Sequence, residues 1–268
     1  MTKKQKQRLR RRRRRRFFWR VRQITFLVAC IMLIFALGST VYHTILFHGK
    51  TKVERQVLKH KKDYPKSLID FMNQNDETGI DIFVSNYEKY KDKHFKISLA
   101  GDYKKNTIPH LVQWDKRWGY EIFDDTYFGI SGSAPTCLSM VSVGLSGDLN
   151  SNPLVIGQYI TNNGYLSNDH KLNSDFMTEG IEYFDITGTK TAVKQSTMKK
   201  LIQDGSPLIA KLKEPVFLER EHYIVIYGFD KKGNFMIYDP ASKTNSKNAY
   251  SFEELKNDID TVWAYTLI

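Results

Sequence analysis

Between Ile24 and Phe47 the chain runs through residues that are almost all apolar or small, with His43 the one group that titrates near neutral pH. A helix of these 24 residues, rising about 1.5 Å per residue, reaches ~36 Å, enough to cross a hydrocarbon core of ~30 Å. The flanks differ: arginines crowd the N-terminal side, and Gly49–Glu54 on the other side is mixed. The positive-inside rule then predicts a single-pass protein of the cell membrane, with a cytoplasmic N-terminus and residues 51–268 extracellular. Phe17, Phe18 and Trp19 sit where interfacial aromatics anchor such a helix. Ala36-Leu37-Gly38 resembles a signal-peptidase site, but the apolar stretch continues through Val41 and Ile45 to Phe47, which favours an uncleaved anchor.

The formal charge of +12 belongs to one end. The first 22 residues hold 13 Lys or Arg and no acid, including the run Arg10–Arg16, so the rest of the chain carries −1. Bulk charge therefore gives no support for a nucleic-acid-binding domain, and the tail reads as a partner for acidic lipid heads. The only cysteines are Cys30 and Cys137, one of them inside the expected span, so no disulfide framework is available to the outer part.

The chain divides into a basic tail (1–23), the transmembrane helix (24–47), a stalk with a helical preface (48–107) and a main α+β domain (108–268). The stalk 51–64 is nearly all polar and reads as a solvated helix. Lys66–Asn73 and Gly79–Tyr90 read as two short helices, the first opened by Pro65. In the main domain Ala134–Leu145 is apolar around most of a helix, and Pro207–Ala210 reads as a strand. His222–Phe229 and Phe235–Asp239 form a hairpin about Asp230-Lys231-Lys232-Gly233-Asn234.

Four side chains then line up as a candidate site. Ser133 precedes Pro135 at the start of the buried helix, where the helix dipole favours an oxyanion or a thiolate. His222 opens one arm of the hairpin and Asp239 closes the other, so the carboxylate can orient the imidazole. Gln113 offers an amide to an oxyanion. Asp148, Asn150 and Asn152 mimic a calcium loop, but Pro153 and Tyr159 occupy the positions that need glycine and glutamate, so the segment reads as a plain loop. His110 and His170 have no second ligand at metal spacing in the sequence. No metal or cofactor is expected, and no phosphate loop is present.

The segments Ile108-Pro109-His110-Leu111-Val112-Gln113-Trp114-Asp115-Lys116-Arg117-Trp118-Gly119, Gly132-Ser133-Ala134-Pro135-Thr136 and His222–Asp230 with Tyr238-Asp239-Pro240 together resemble the bacteriocin-leader (double-glycine) cysteine peptidase family, in its stand-alone Gram-positive branch. The resemblance implies a papain-like fold, a nucleophile at position 133, His222 as base, Asp239 as its orienting acid and Gln113 as oxyanion donor. The family has cysteine where this chain has Ser133. A His-paired thiol ionises at a pKa of ~3–4, whereas a hydroxyl must lose its proton during attack.

Three origins fit that serine, in this order: a substitution made to trap substrate or prevent self-cleavage, a natural pseudopeptidase, or a true serine variant. Two functions follow. One is a thiol-protease-type hydrolase acting on peptides or envelope proteins, impaired as written. The other is an inactive peptide-binding or scaffold module with an envelope protein as partner. Amide hydrolysis in peptidoglycan is a third reading, and no repeat resembling a wall-binding module supports it. Cys137, buried four residues along the helix, reads as a small hydrophobe and not as a replacement nucleophile.

Overall fold

A computed structural model describes residues 22–42, 44, 48–213 and 221–268. The arginine run, Phe17, Phe18, Trp19, His43, Ile45 and Phe47 lie outside the described residues.

The chain separates into two compact units, Met1–Arg55 and Gln56–Ile268. In the first, helix α1 (Arg22–Tyr42) is long and apolar enough to cross a membrane, a test of length and composition that an N-terminal signal sequence also passes. Its Thr40 costs little in an apolar setting, because Oγ1 donates to the Ala36 carbonyl at 2.9 Å, one turn back.

The second unit begins with short helices: α2 (Lys52–Lys59, its start lying in the first unit), α3 (Lys66–Gln74), α4 (Thr78–Ser85) and α5 (Tyr87–Tyr90). The stalk expected to be solvated is not wholly so: Val57 is buried with Leu68, Phe71 and Met72 of α3 and with Val112 and Trp114. A single helix over Gly79–Tyr90 is also corrected. Asn86 breaks it into α4 and α5, its side-chain amide donating to the Ile82 carbonyl at 2.8 Å.

Next come the small hairpin β1 (Ile122–Phe123) and β2 (Thr126–Tyr127), then α6 (Phe128–Ser131), α7 (Ser133–Ser146) and α8 (Pro153–Asn162). The loop read against calcium serves α8: Asn152 caps it by accepting from the Val155 N–H, and Pro153 takes the first helical turn. Helix α7 ends at Gly147, whose φ of 75° is one that glycine adopts without strain.

The remainder is β3 (Ile186–Thr191), α9 (Gln195–Gln203), β4 (Leu208–Leu212), β5 (His222–Phe229), β6 (Phe235–Tyr238), β7 (Ala249–Tyr250), α10 (Phe252–Leu255) and β8 (Ile259–Leu267). The strands form an antiparallel sheet in the order β3-β8-β4-β5-β6-β7. Side chains on its central strands alternate between two cores. Ile209, Tyr223, Val225, Trp263 and Tyr265 join the cluster around α7 and α8. Leu208, Ile224, Ile226, Val262 and Ala264 join the cluster around α9 and α10. Both faces are covered, which explains why β5 reads as a continuous apolar run and not as an alternation. The mixed helix-and-sheet class expected from the sequence is what is seen.

Candidate active site

Ser133 is the first residue of α7 and is buried at 3% exposure. A Cβ on the preceding Gly132 would lie 2.3 Å from the Phe128 ring, so the backbone passes too close to that ring for any other residue. The Ser133 hydroxyl donates to the Glu221 backbone carbonyl at 3.4 Å, a long bond. Its carbonyl partner belongs to the residue immediately before His222.

His222 opens β5, and Asp239 falls one residue past β6. The hairpin is the one the sequence predicts, with Phe229 paired to Phe235 and a bulge between Ile226 and Gly228. His222 Nε2 and Asp239 Oδ1 lie 2.9 Å apart. Asp239 is 6% exposed, and both of its oxygens are used: Oδ1 also accepts from the Ala241 N–H at 2.9 Å, and Oδ2 accepts from Asn245 Nδ2 at 2.8 Å. Burial pushes this carboxyl up, but the His222 charge and these hydrogen bonds outweigh it and hold its pKa below the ordinary aspartate value. The bond to Asp239 selects the tautomer with hydrogen on Nε2, leaving Nδ1 as the ring atom available to a nucleophile.

Gln113 is almost fully buried. Its backbone N–H donates to the Pro240 carbonyl at 2.9 Å, and its side-chain Nε2 donates to the carbonyls of Gly129 and Ile130, both at 3.0 Å. Both amide hydrogens are therefore committed, and Oε1 is buried with no partner among the described residues. The surrounding motif is a scaffold as well: Trp114 Nε1 donates to the Ala241 carbonyl at 2.9 Å, and Arg117 spans Asp102 and Asp115 while its guanidinium lies 4.5 Å from the centre of the Trp118 ring.

Gln113, His222, Asp239 and Asn245 line a cavity of about 760 Å³, whose other wall includes Lys66, Asp70 and Phe71 of α3. Ser133 lines a separate, much smaller hollow of about 30 Å³, and Glu221 borders both. The four residues picked from the sequence thus gather around the start of β5. The described hydrogen bond of the serine runs to Glu221 and not to the histidine.

Two contributors escaped sequence reading. Glu221 pairs with Lys211 and accepts from the Tyr223 hydroxyl at 2.9 Å. Its signal was adjacency to His222. Asn245 lies six residues past Asp239 in a polar turn that looks like any surface loop.

The other candidates resolve as follows. Cys137 is fully buried; desolvation, with the Asp239 charge added, pushes its thiol up, which disfavours a thiolate there. His110 stacks on Tyr238 at 4.5 Å between ring centres, and burial lowers its pKa. The expectation that His170 lacks neighbours of metal-ligating type is corrected: the fold places its Nδ1 2.7 Å from Asp124 Oδ2 and its Nε2 3.6 Å from Asp125 Oδ2. Sequence spacing missed the cluster because Asp124 and His170 are 46 residues apart.

No curated protein matches the sequence. The model of the Peptidase_C39 like family matches residues 105–267, more than half of the chain and including all four candidate positions, and the chain belongs to that family.

Proposed function

We propose that this is a membrane-anchored, extracytoplasmic peptidase-type domain of papain-like build, acting on peptides or envelope proteins, with Ser133 in the nucleophile's place and hydrolysis strongly impaired as a result. The observation that carries the reading is the His222–Asp239 couple, 2.9 Å apart in the wall of a cavity large enough for a peptide segment. A buried carboxylate with both oxygens bonded, next to a histidine, is an arrangement for holding a general base. A nucleophile at the first residue of a buried helix facing an antiparallel sheet supports the papain-like comparison. Helix α1 and the charge difference across it support the anchor and the outward orientation. His222, Asp239 and Gln113 keep their base, orienting and oxyanion roles in this reading. The last requires Gln113 to give up one of its two carbonyl partners.

One set of contacts favours a second reading, a pseudopeptidase that binds peptide or an envelope partner without cutting it. The Ser133 hydroxyl is spent on the Glu221 carbonyl, and both Gln113 amide hydrogens are spent on the main chain.

The readings part on the full chain in detergent, as written and as Ser133→Cys, given a thiol-reactive probe and a mixed peptide library. The peptidase reading expects labelling and cleavage only in the cysteine form, both abolished by adding His222→Ala. A cysteine form that binds peptides but neither labels nor cleaves would leave the binding reading standing.

A further inference from the structure

The family match begins at residue 105, yet the cavity that holds His222 and Asp239 is completed by residues before it. Helix α3 supplies Lys66, Asp70 and Phe71 to one wall. More telling is Glu77, in the turn between α3 and α4. Its Oε2 accepts from the Ser242 hydroxyl at 3.0 Å and from the Thr244 N–H at 3.1 Å. Ser242 Oγ in turn accepts from the Asn245 N–H at 3.0 Å. Asn245 Nδ2 donates to Asp239 Oδ2 at 2.8 Å, and Asp239 Oδ1 accepts from His222 Nε2 at 2.9 Å.

From these contacts we infer that Glu77 is a positioning residue for the active-site histidine: the helical preface is a working part of the site, fixing the 239–246 turn through Glu77 and Ser242 so that Asn245 and Asp239 set the tautomer of His222. Three features make the relay directional. Every link has one donor and one acceptor in a good distance range, so the geometry leaves no slack to absorb a missing partner. Glu77 reaches across 165 residues of sequence, so it ties the turn to the helical preface, which the bonds within the turn do not. Within the turn, Ser246 Oγ accepts from the Asp239 N–H at 2.8 Å and donates to the Ser242 carbonyl at 2.8 Å; from outside, Pro240 accepts from the Gln113 N–H and Ala241 from Trp114 Nε1 on the opposite side, so Glu77 closes a clamp with two outer jaws. A carboxylate is suited to its jaw because one oxygen takes two donors at once. The inference rests on His222 and Asp239 being the working couple, but its test does not require catalysis.

The experiment is long-range 1H–15N spectroscopy of the histidine rings in the full chain in detergent, with His222 assigned by His222→Gln, at a pH where the ring is neutral. The wild-type chain is expected to hold His222 as a single tautomer with hydrogen on Nε2. Glu77→Ala is expected to give a mixture of the two tautomers, and Glu77→Gln, which keeps one acceptor oxygen, to restore the single one. Ser242→Ala, which cuts the relay from within the turn and leaves the preface intact, is expected to reproduce the mixture, so a Glu77→Ala chain that failed to fold would not shelter the idea. In the Ser133→Cys background the same two alanine variants should label about tenfold more slowly, as small misplacements of a reacting pair do. Folded Glu77→Ala and Ser242→Ala chains that keep a pure Nε2–H tautomer would overturn the assignment. A Ser133→Cys chain that never cleaves, with the tautomer still obeying Glu77, would sink the peptidase reading alone.

Discussion

The two ends of the candidate site are built to different standards. At the acid–base end, Asp239 is gripped by His222, Ala241 and Asn245, and its turn is tied to Gln113, Trp114 and Glu77. At the nucleophile end, Ser133 has a single 3.4 Å bond to a main-chain carbonyl and faces a hollow hardly larger than a water molecule. A buried carboxylate must be fully bonded or its desolvation cost goes unrecovered, so the fold has no latitude there. A hydroxyl at a helix start carries no such penalty, and serine fits with a loose contact. The contrast teaches that the His222–Asp239 couple is fixed by many bonds, while the Ser133 hydroxyl is held by one.

The largest expected effect attacks that contrast at its weak end. Ser133→Cys should raise probe labelling at position 133 from nothing to a rate at least about a thousandfold above that of Cys137, because a helix start lowers a thiol's pKa while apolar burial raises it. Mass spectrometry of the labelled peptides reads this directly, and equal labelling at the two positions would erase the difference between the ends. Next, in the cysteine form, Asp239→Asn should cut labelling and any cleavage by on the order of 10²–10⁴-fold while the chain stays folded, since it inverts the tautomer preference. A fall below tenfold would mean that the tight end does not serve the loose one.

Acid should loosen the tight end first. The folded pKa of Asp239 lies below its unfolded value of ~3.9, so its ionised form stabilises the fold fully above about pH 5, and that contribution disappears as pH falls through ~4 and below. Urea midpoints measured from pH 7 to pH 3 should drop more steeply for the chain as written than for Asp239→Asn. Parallel curves would show that the carboxylate is not a net stabiliser.

Gln113→Ala comes next in size. It strands the Gly129 and Ile130 carbonyls, so a loss of about 1–3 kcal/mol is expected in chemical denaturation. If the stability loss is accompanied by no further loss of rate in the cysteine form, the amide is a brace and not an oxyanion donor. The smallest effect is Cys137→Ala, which should cost about 1 kcal/mol of packing and leave labelling at position 133 untouched.

Much of this site was legible because its signals are local. The hairpin arms are continuous apolar or aromatic runs about a Gly-Asn turn, and β5 has the bounds expected of it. Helix α7 shows itself by apolar residues on all sides and a Gly-Ser-Ala-Pro start, and it falls within one residue of the expectation at each end. Ser133, His222 and Asp239 could be read because each sits at an element boundary, where turn and capping chemistry marks the sequence; Gln113 lies in the irregular stretch between α5 and β1 and was legible only through its motif. Strands β3 and β8 were not read at all. Lys190 and Thr191 are polar, and β8 mixes Asp260 and Thr261 into its apolar side chains, so neither carries a clean period of two.

By itself, then, the sequence determined the apolar N-terminal helix, the α+β character and the residues that could do chemistry, because helix length, periodicity and turn composition act over a few residues. Only the tertiary structure decided that β8, the last strand in the chain, lies inside the sheet between β3 and β4. It alone brought Glu77 to Ser242, Asp124 to His170 and α3 to the wall of the cavity. Those pairings are set by which faces are left to bury and which polar groups are left to satisfy once the elements have formed, and no short stretch of chain carries that information.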